Sequence, residues 1–222
     1  QSQLNADKKL LTLEQSMLRS QMNPHFLFNS LNSIKLYIIN NEKKNAVHYL
    51  NKFSKLVRKI LEASSQREIS LADELETVEL YMNIENIRFS NEINFNIHIK
   101  DDIDTHNIKI PSLILQPFLE NALWHGLSSK DGSKNIDLEI KKGKNGFIEI
   151  VITDNGVGRD AAEKIKDNKL LKRKSVGIDI TKERLANFSR DYENYFHVDI
   201  IDKFDDNTKP IGTQIVIYIP TI

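Results

Sequence analysis

The first regular pattern in the chain is a four-three alternation of core-type positions, Leu13, Met17, Ser20, Pro24, Leu27, Leu31, Ile34 and Ile38, the spacing of a coiled-coil seam. It runs straight through Pro24. The polar stretch "NNEKKN" at 40–45 interrupts it, and a second amphipathic pattern follows at Ala46, Leu50, Phe53, Val57, Ile60 and Leu61. Two such helices joined by a short turn form a hairpin whose stripes it cannot bury alone. Pairing with a second copy in a four-helix bundle is therefore expected.

Ser70, ahead of "LADELETVELYMNIENIRF", reads as an N-cap with Asp73 three residues on, and opens a third helix over 70–89. From Asn91 the period changes to two. "INFNIHIK", "IDLEIKK", "FIEIVITD", "FHVDIID" and "TQIVIYIP" alternate apolar and polar residues as half-buried strands do. Between them lie two helical stretches, "PSLILQPFLENALWHGL" and "GIDITKERLANFSRDY". The pattern divides near residue 90 into a helical front and an α+β rear, with antiparallel hairpins and with helices on one face of the sheet.

Composition narrows this picture only a little. A length of 222 residues suits one large domain or two modest ones. Lys+Arg and Asp+Glu both number 31, so there is no basic excess for a sequence-independent hold on nucleic acid, and any anion site must be local. The lack of cysteine excludes disulfides, Cys-ligated zinc and thiol nucleophiles, and fits a reducing cytoplasm. No apolar run approaches the ~20 residues that a bilayer requires. The opening stretch "QSQLNADKKLLTLEQSMLRSQ" begins without Met and is charged, Gly-free and helical in propensity. It reads as a cut inside a longer protein, residues 1–20 being a signalling helix from an upstream sensor.

Candidate chemistry lies in the rear. "DNGVG", Asp154 to Gly158, follows directly on the strand "FIEIVIT"; alone it is an ordinary Asp-Asn-Gly turn. It stands, however, in an ordered set: Asn121 on the helix "LENALWHG", Gly177 opening "GIDITKERL", and Gly212-Thr213 leading into the last strand. This order resembles the Bergerat-type GHKL ATP-binding fold, an α/β sandwich with a mixed sheet. The residue chemistry suits it. Asp154 can accept from the adenine amino group, which separates adenine from guanine. Gly156 and Gly158 remove side chains where backbone passes close to the nucleotide, and Gly177 at a helix start leaves amides for phosphate. The run from Arg159 to Val176, containing "KLLKRKS", is then a lid, although each lysine in it reads equally well as part of a solvated basic loop. Asn121 offers a neutral oxygen to Mg2+. Glu120 either acts on the metal or a water, or points out of its helix.

With both halves read, the chain resembles the sensor histidine kinases of the LytS/YesM type over nearly its whole length from Leu13. The motifs are "QMNPHFLFNSLNSI" as phosphoacceptor box, "LQPFLENALWHG" as N box, "DNGVG" and "GIDITKERL" as glycine boxes, and "GTQIVIYIP" as closing strand. The resemblance implies a homodimer in which residues 13–68 form the dimerisation and histidine phosphotransfer domain. Residues 69–222 then form the ATP-binding catalytic domain, using ATP and Mg2+. His25 would accept the γ-phosphate and pass it to an aspartate of a response regulator, commonly a DNA-binding transcription factor. The chain itself would bind no nucleic acid, and would be the cytoplasmic portion of a membrane sensor attached through segments upstream.

Three departures from the family pattern stand out. The second glycine box has Asp179 where Gly is usual, and a carboxylate there repels phosphates unless it turns away or meets Mg2+. Trp124 occupies an N-box position where many relatives carry Lys, leaving His125, Arg184 or a lid lysine to supply a charge. Pro117 stands where the ATP-hydrolysing relatives have an acid, which disfavours water attack and hence an ATP-hydrolysing machine. Asp179 and Trp124 also admit a rival of another class, a non-catalytic dimeric ATP-binding adapter.

Around His25, the residues Gln21, Asn29 and Asn32 share one helical stripe beside the seam. A neutral imidazole, with a reference pKa of about 6.5, is the form that attacks phosphorus, and Gln21 or Asn29 can fix its tautomer. Pro24 either follows an Asn23 cap at the start of a helix or kinks one continuous helix. The unbroken heptad phase favours the kink, which would let residues 1–20 control the approach of His25 to the nucleotide.

Overall fold

The computed structural model describes residues 24–100, 102–159, 176–189 and 195–221. Helix α1 (Pro24–Ile39) and helix α2 (Lys43–Ser64) form the expected hairpin, turning at Asn41 with φ 61°. Both readings of Pro24 depend on residues before it, which lie outside the described residues, as do residues 1–20.

The hairpin helices bury one face within the chain and leave another bare. Phe26, Ser30 and Ile34 of α1, and Ala46, Leu56, Ile60 and Ala63 of α2, are buried. Phe28, Leu31 and Ile38 of α1, and Val47, Leu50 and Leu61 of α2, are exposed at the three-four spacing of a bundle seam. The sequence pattern merged these two faces. It ran Leu31 and Ile38 together with Ile34, and it omitted Phe26 and Leu56, which the third helix covers.

That helix, α3 (Leu71–Arg88), starts as read: the Ser70 hydroxyl accepts from the Asp73 amide at 3.1 Å and donates to its carboxylate at 2.6 Å. Lys55 and Lys59 of α2 both pair with Glu76 of α3 at 2.5 Å. Helix α3 is buried on most sides, including Glu74, Thr77 and Glu85, because the hairpin lies on one flank and the rear of the chain on the other. Ahead of it, strand β1 (Glu68–Ser70) pairs antiparallel with β3 (Lys109–Pro111). This small sheet breaks the predicted long helix over "PSLILQPFLENALWHGL" at its start. Helix α4 spans Gln116–Asn121, with Pro117 in its first turn, and continues as a π-helical turn, Ala122–Leu127. Helix α5 is Val176–Ser189.

The main sheet is mixed, with strand order β2-β4-β5-β7-β6. Its strands are β2 (Ile93–Ile99), β4 (Lys134–Lys142), β5 (Phe147–Asp154), β6 (His197–Phe204) and β7 (Pro210–Pro220). All neighbours are antiparallel except β2 and β4, which are parallel. The chain between these two strands passes through β3 and α4, and such a crossover returns it to the end from which it started. One face carries Ile136, Leu138, Ile140, Ile148, Ile150, Ile152, Ile215, Ile217 and Ile219, all buried. The other carries polar pairs such as Asn94 with Asn135 and Asn96 with Asp137. Period-two patterning thus marks one covered face, with the helices on that side. The fold is α+β, a helical hairpin followed by a mixed sheet layered with helices.

Candidate functional site

Asp154 ends β5 on the covered face, opposite Thr213 of β7. Its carboxylate is buried, accepts from the Gly156 amide at 2.8 Å and accepts from the Thr213 amide. Burial pushes its pKa up to about 6, against the opposing pull of those two amides. Asn155 secures the turn from outside: its side chain accepts from the Asn135 amide at 2.9 Å and donates to the Ser133 carbonyl at 3.0 Å.

Four glycines make close approaches around the turn that carries Asp154. A β-carbon on Gly156 would lie 2.5 Å from Cα of Gly126, and one on Gly212 would lie 2.0 Å from the Asp154 carbonyl oxygen. Gly158 has φ +81° and abuts Pro210. Gly126 lets its backbone pack directly against the Asp154 side chain, since a β-carbon there would lie 2.9 Å from Oδ1. The Val157 amide donates to the Gly126 carbonyl at 3.1 Å, so the "DNGVG" turn is stitched to the π-helical turn that follows Asn121. Gly126 was not singled out in the sequence; the signal available was a glycine inside an otherwise helical apolar run. The π-helical bonding, with the Ser128 amide reaching the Leu123 carbonyl at 2.9 Å, had no such signal. Short π-helical turns recur at functional sites.

The remaining predicted residues fall into two groups. Asn121 closes α4, half-buried, one turn before Gly126. His125 lies half-buried within the π-helical turn. Gly177 lies in the first turn of α5, with Asp179 exposed beside it, where the helix dipole favours a carboxylate. Arg159 forms a bidentate pair with Asp202 of β6, at 2.7 and 2.5 Å, at the head of the predicted lid. The rest of the lid, residues 160–175, lies outside the described residues. His25 is the second residue of α1, and its side chain is likewise outside the described set.

Two candidates are engaged in the interior. Arg184 of α5 donates to the Ser112 carbonyl at 2.9 Å and faces the buried Glu74 carboxylate. Glu120 accepts from Gln116 at 3.1 Å and from the Tyr81 phenol, and burial raises its pKa. Trp124 is turned the same way: its indole donates to Glu85, its ring packs on Phe89 with centroids 5.2 Å apart, and the Arg88 guanidinium lies 4.1 Å above it. Among the described residues no group of three or more His, Asp or Glu is arranged to hold a metal, and no helix is long and apolar enough to cross a membrane.

The buried Asp154 carboxylate at the end of a central strand, the glycines around its turn and the helix ending in Asn lie together in a mixed sheet behind a helical hairpin, and these are the features on which the sequence resemblance to the GHKL fold rests. Residues 13–93 match the family model described as histidine kinase. Over 152 residues the chain is 34% identical to the sensor histidine kinase/phosphatase LytS of Staphylococcus aureus strain MRSA252 and 33% identical to that of strain N315, covering 68% of this chain and 25% of each relative. It spans about a quarter of the length of the relatives it matches. Similar solved structures include the mycobacterial sensor histidine kinase MprB, with TM-score 0.47, 15% identity and coverage of 69% of this chain and 96% of that one. Another is the histidine kinase domain of the Erythrobacter litoralis EL346 blue-light activated histidine kinase, with TM-score 0.49, 15% identity and coverage of 95% of each chain. Residues 13–93 thus carry a histidine kinase family domain, and the chain is homologous to sensor histidine kinases of the LytS type.

Proposed function

We propose that the chain is the cytoplasmic kinase portion of a membrane sensor, that it autophosphorylates on His25 at the expense of ATP, and that it passes the phosphoryl group to an aspartate of a response regulator. The observation that carries this reading is the buried Asp154 carboxylate, held by the Gly156 and Thr213 amides with the Gly126 backbone packed directly beside it. A site with one buried acceptor and walls of bare backbone fits a flat base bearing an exocyclic amine.

In this reading Asp154 receives the adenine amino group, while Gly156, Gly158, Gly212 and Thr213 shape the floor. Gly177 and its neighbours at the α5 N-terminus face phosphate, and Asn121 supplies an oxygen to Mg2+. Bound Mg-ATP supplies the phosphoryl group and the metal that offsets its charge. His25 provides the accepting nitrogen, and the neutral imidazole is the form that attacks phosphorus. Glu120 and Arg184, both engaged in the interior, act by placing the helices that carry Asn121 and Gly177. Asp179, exposed in the first turn of the same helix, turns away from the phosphates or meets Mg2+ in this scheme.

The dimer follows from the bare stripe of Phe28, Leu31, Ile38, Val47, Leu50 and Leu61, which a second hairpin would cover in a four-helix bundle. Residues 13–68 then serve as the phosphoacceptor and dimerisation part, and 69–222 as the ATP-binding part. The response regulator in this scheme is a DNA-binding transcription factor. Transfer of label from γ-labelled ATP to the wild-type chain, absent in His25→Ala, tests the function against the adapter alternative.

A further inference from the structure

Helix α3 grips the segment leading to Asn121 at three levels along one side. At its start the buried Glu74 carboxylate accepts from the amides of Leu113 and Leu115 at 2.8 and 2.9 Å, and it holds Leu113 at φ 57°. Two turns on, the Tyr81 phenol donates to Glu120. At its end Glu85 receives the Trp124 indole and pairs with Arg88 at 3.3 Å.

On α3 the residues Glu74, Tyr81, Glu85 and Arg88 recur at seven, four and three positions, a single helical stripe. On the facing segment Gln116, Glu120 and Trp124 recur every four. The middle level also touches the hairpin: the ring of Phe26, next to His25 in sequence, packs on Tyr81 with centroids 5.1 Å apart. Tyr81 is fully buried, so its phenol has no water to replace Glu120 as a partner.

We propose that Tyr81 is a positioning residue for the metal end of the nucleotide site, fixing Glu120 and thereby the rotation of the helix that ends in Asn121. Adjacent residues on a helix lie about 100° apart, so anchoring Glu120 toward α3 fixes where Asn121 points. The same ring, seated on Phe26, ties that rotation to the helix bearing His25. This inference rests on the reading of Asn121 as the Mg2+-facing residue.

The test compares ATP affinity of the 222-residue chain in EDTA and in Mg2+, for wild type and Tyr81→Phe, by calorimetry. The variant keeps the ring and loses only the donor. The Mg2+-dependent gain in affinity is expected to fall by about tenfold, the low end for groups that orient a metal ligand, while affinity in EDTA stays within about twofold. An unchanged Mg2+ gain, or an equal loss with and without Mg2+, overturns the proposal, the latter because it marks a general packing defect. If Tyr81→Phe does not fold, Gln116→Met, which removes the other donor to the same carboxylate, is read in the same way. A wild-type chain that binds ATP with no Mg2+ gain refutes the role of Asn121 itself, and one that binds no ATP refutes the nucleotide site. Either result removes the basis of the inference, and both are distinct from a failure confined to the variants.

Discussion

Gly156 and Gly126 are in backbone contact: a β-carbon on the first would stand 2.5 Å from Cα of the second and 2.6 Å from its carbonyl oxygen. Two segments thirty positions apart in sequence are thereby locked together, one carrying Asp154 and the other following Asn121. Neither backbone can retreat cheaply. Gly156→Ala is expected to cost about 2–3 kcal/mol, as forced overpacking does, and to abolish nucleotide binding. Gly132→Ala is the control. That glycine has φ +82° with nothing nearby, so alanine there costs only the left-handed strain of about 1–2 kcal/mol and leaves binding intact. Urea denaturation with parallel nucleotide titration separates the two.

The Asp154 carboxylate, pushed by burial to about 6, predicts a pH dependence of binding. Only its ionised form accepts from the adenine amino group without offering a competing proton. ATP affinity should be flat above pH 7 and fall about tenfold for each unit below the pKa of the free site. Asp154→Asn should be weak and independent of pH. Titrations of ATP and GTP from pH 5 to 8 check both the slope and the preference for adenine.

Stability should run against the usual direction. Glu74 and Glu85 are pushed up to about 7, and Asp154 to about 6, chiefly by burial, above their values in the unfolded chain. Between about pH 4.5 and 7 the folded state therefore holds more protons than the unfolded one, and unfolding free energy falls as pH rises through that window. Asp73, Glu76 and Asp202 are shifted downward by ion pairs and hydrogen bonds, so they act below it. Urea midpoints at pH 5.5 and 8 should show the chain more stable at 5.5. Glu85→Gln should flatten the slope.

The bare stripe on the hairpin predicts association. Leu31→Glu combined with Leu50→Glu places charges on residues that are 47% and 46% exposed in the single chain, so the fold of one copy is spared. Light scattering should give twice the chain mass for wild type and a single mass for the double variant, with unchanged circular dichroism.

Much of this architecture could be read from the residues, and what could not has a physical reason. Strand periodicity is local, so β2, β4, β5, β6 and β7 appear close to their predicted limits. The Ser70 cap is local too. The parallel pairing of β2 with β4 is set by a long connection and leaves no mark on either strand. "DNGVG" announced itself by composition, whereas Gly126 acquires meaning only from the turn that lands on it. Glu120 and Arg184 have residue types suited to ATP chemistry, but their partners are Tyr81 and the Ser112 carbonyl, distant in sequence. In the hairpin, the four-three spacing marked apolar positions but could not tell the face covered by α3 from the face left bare.

The central claim is that His25 receives the γ-phosphoryl group of ATP bound around Asp154. Incubation of the chain with γ-labelled ATP and Mg2+ tests it most directly, with the quenched product split between acid and alkali. The expected label is lost in acid and kept in alkali, absent from His25→Ala and strongly reduced in Asn121→Ala. A wild-type chain that binds ATP but takes up no label, or a label that persists in His25→Ala, would contradict it.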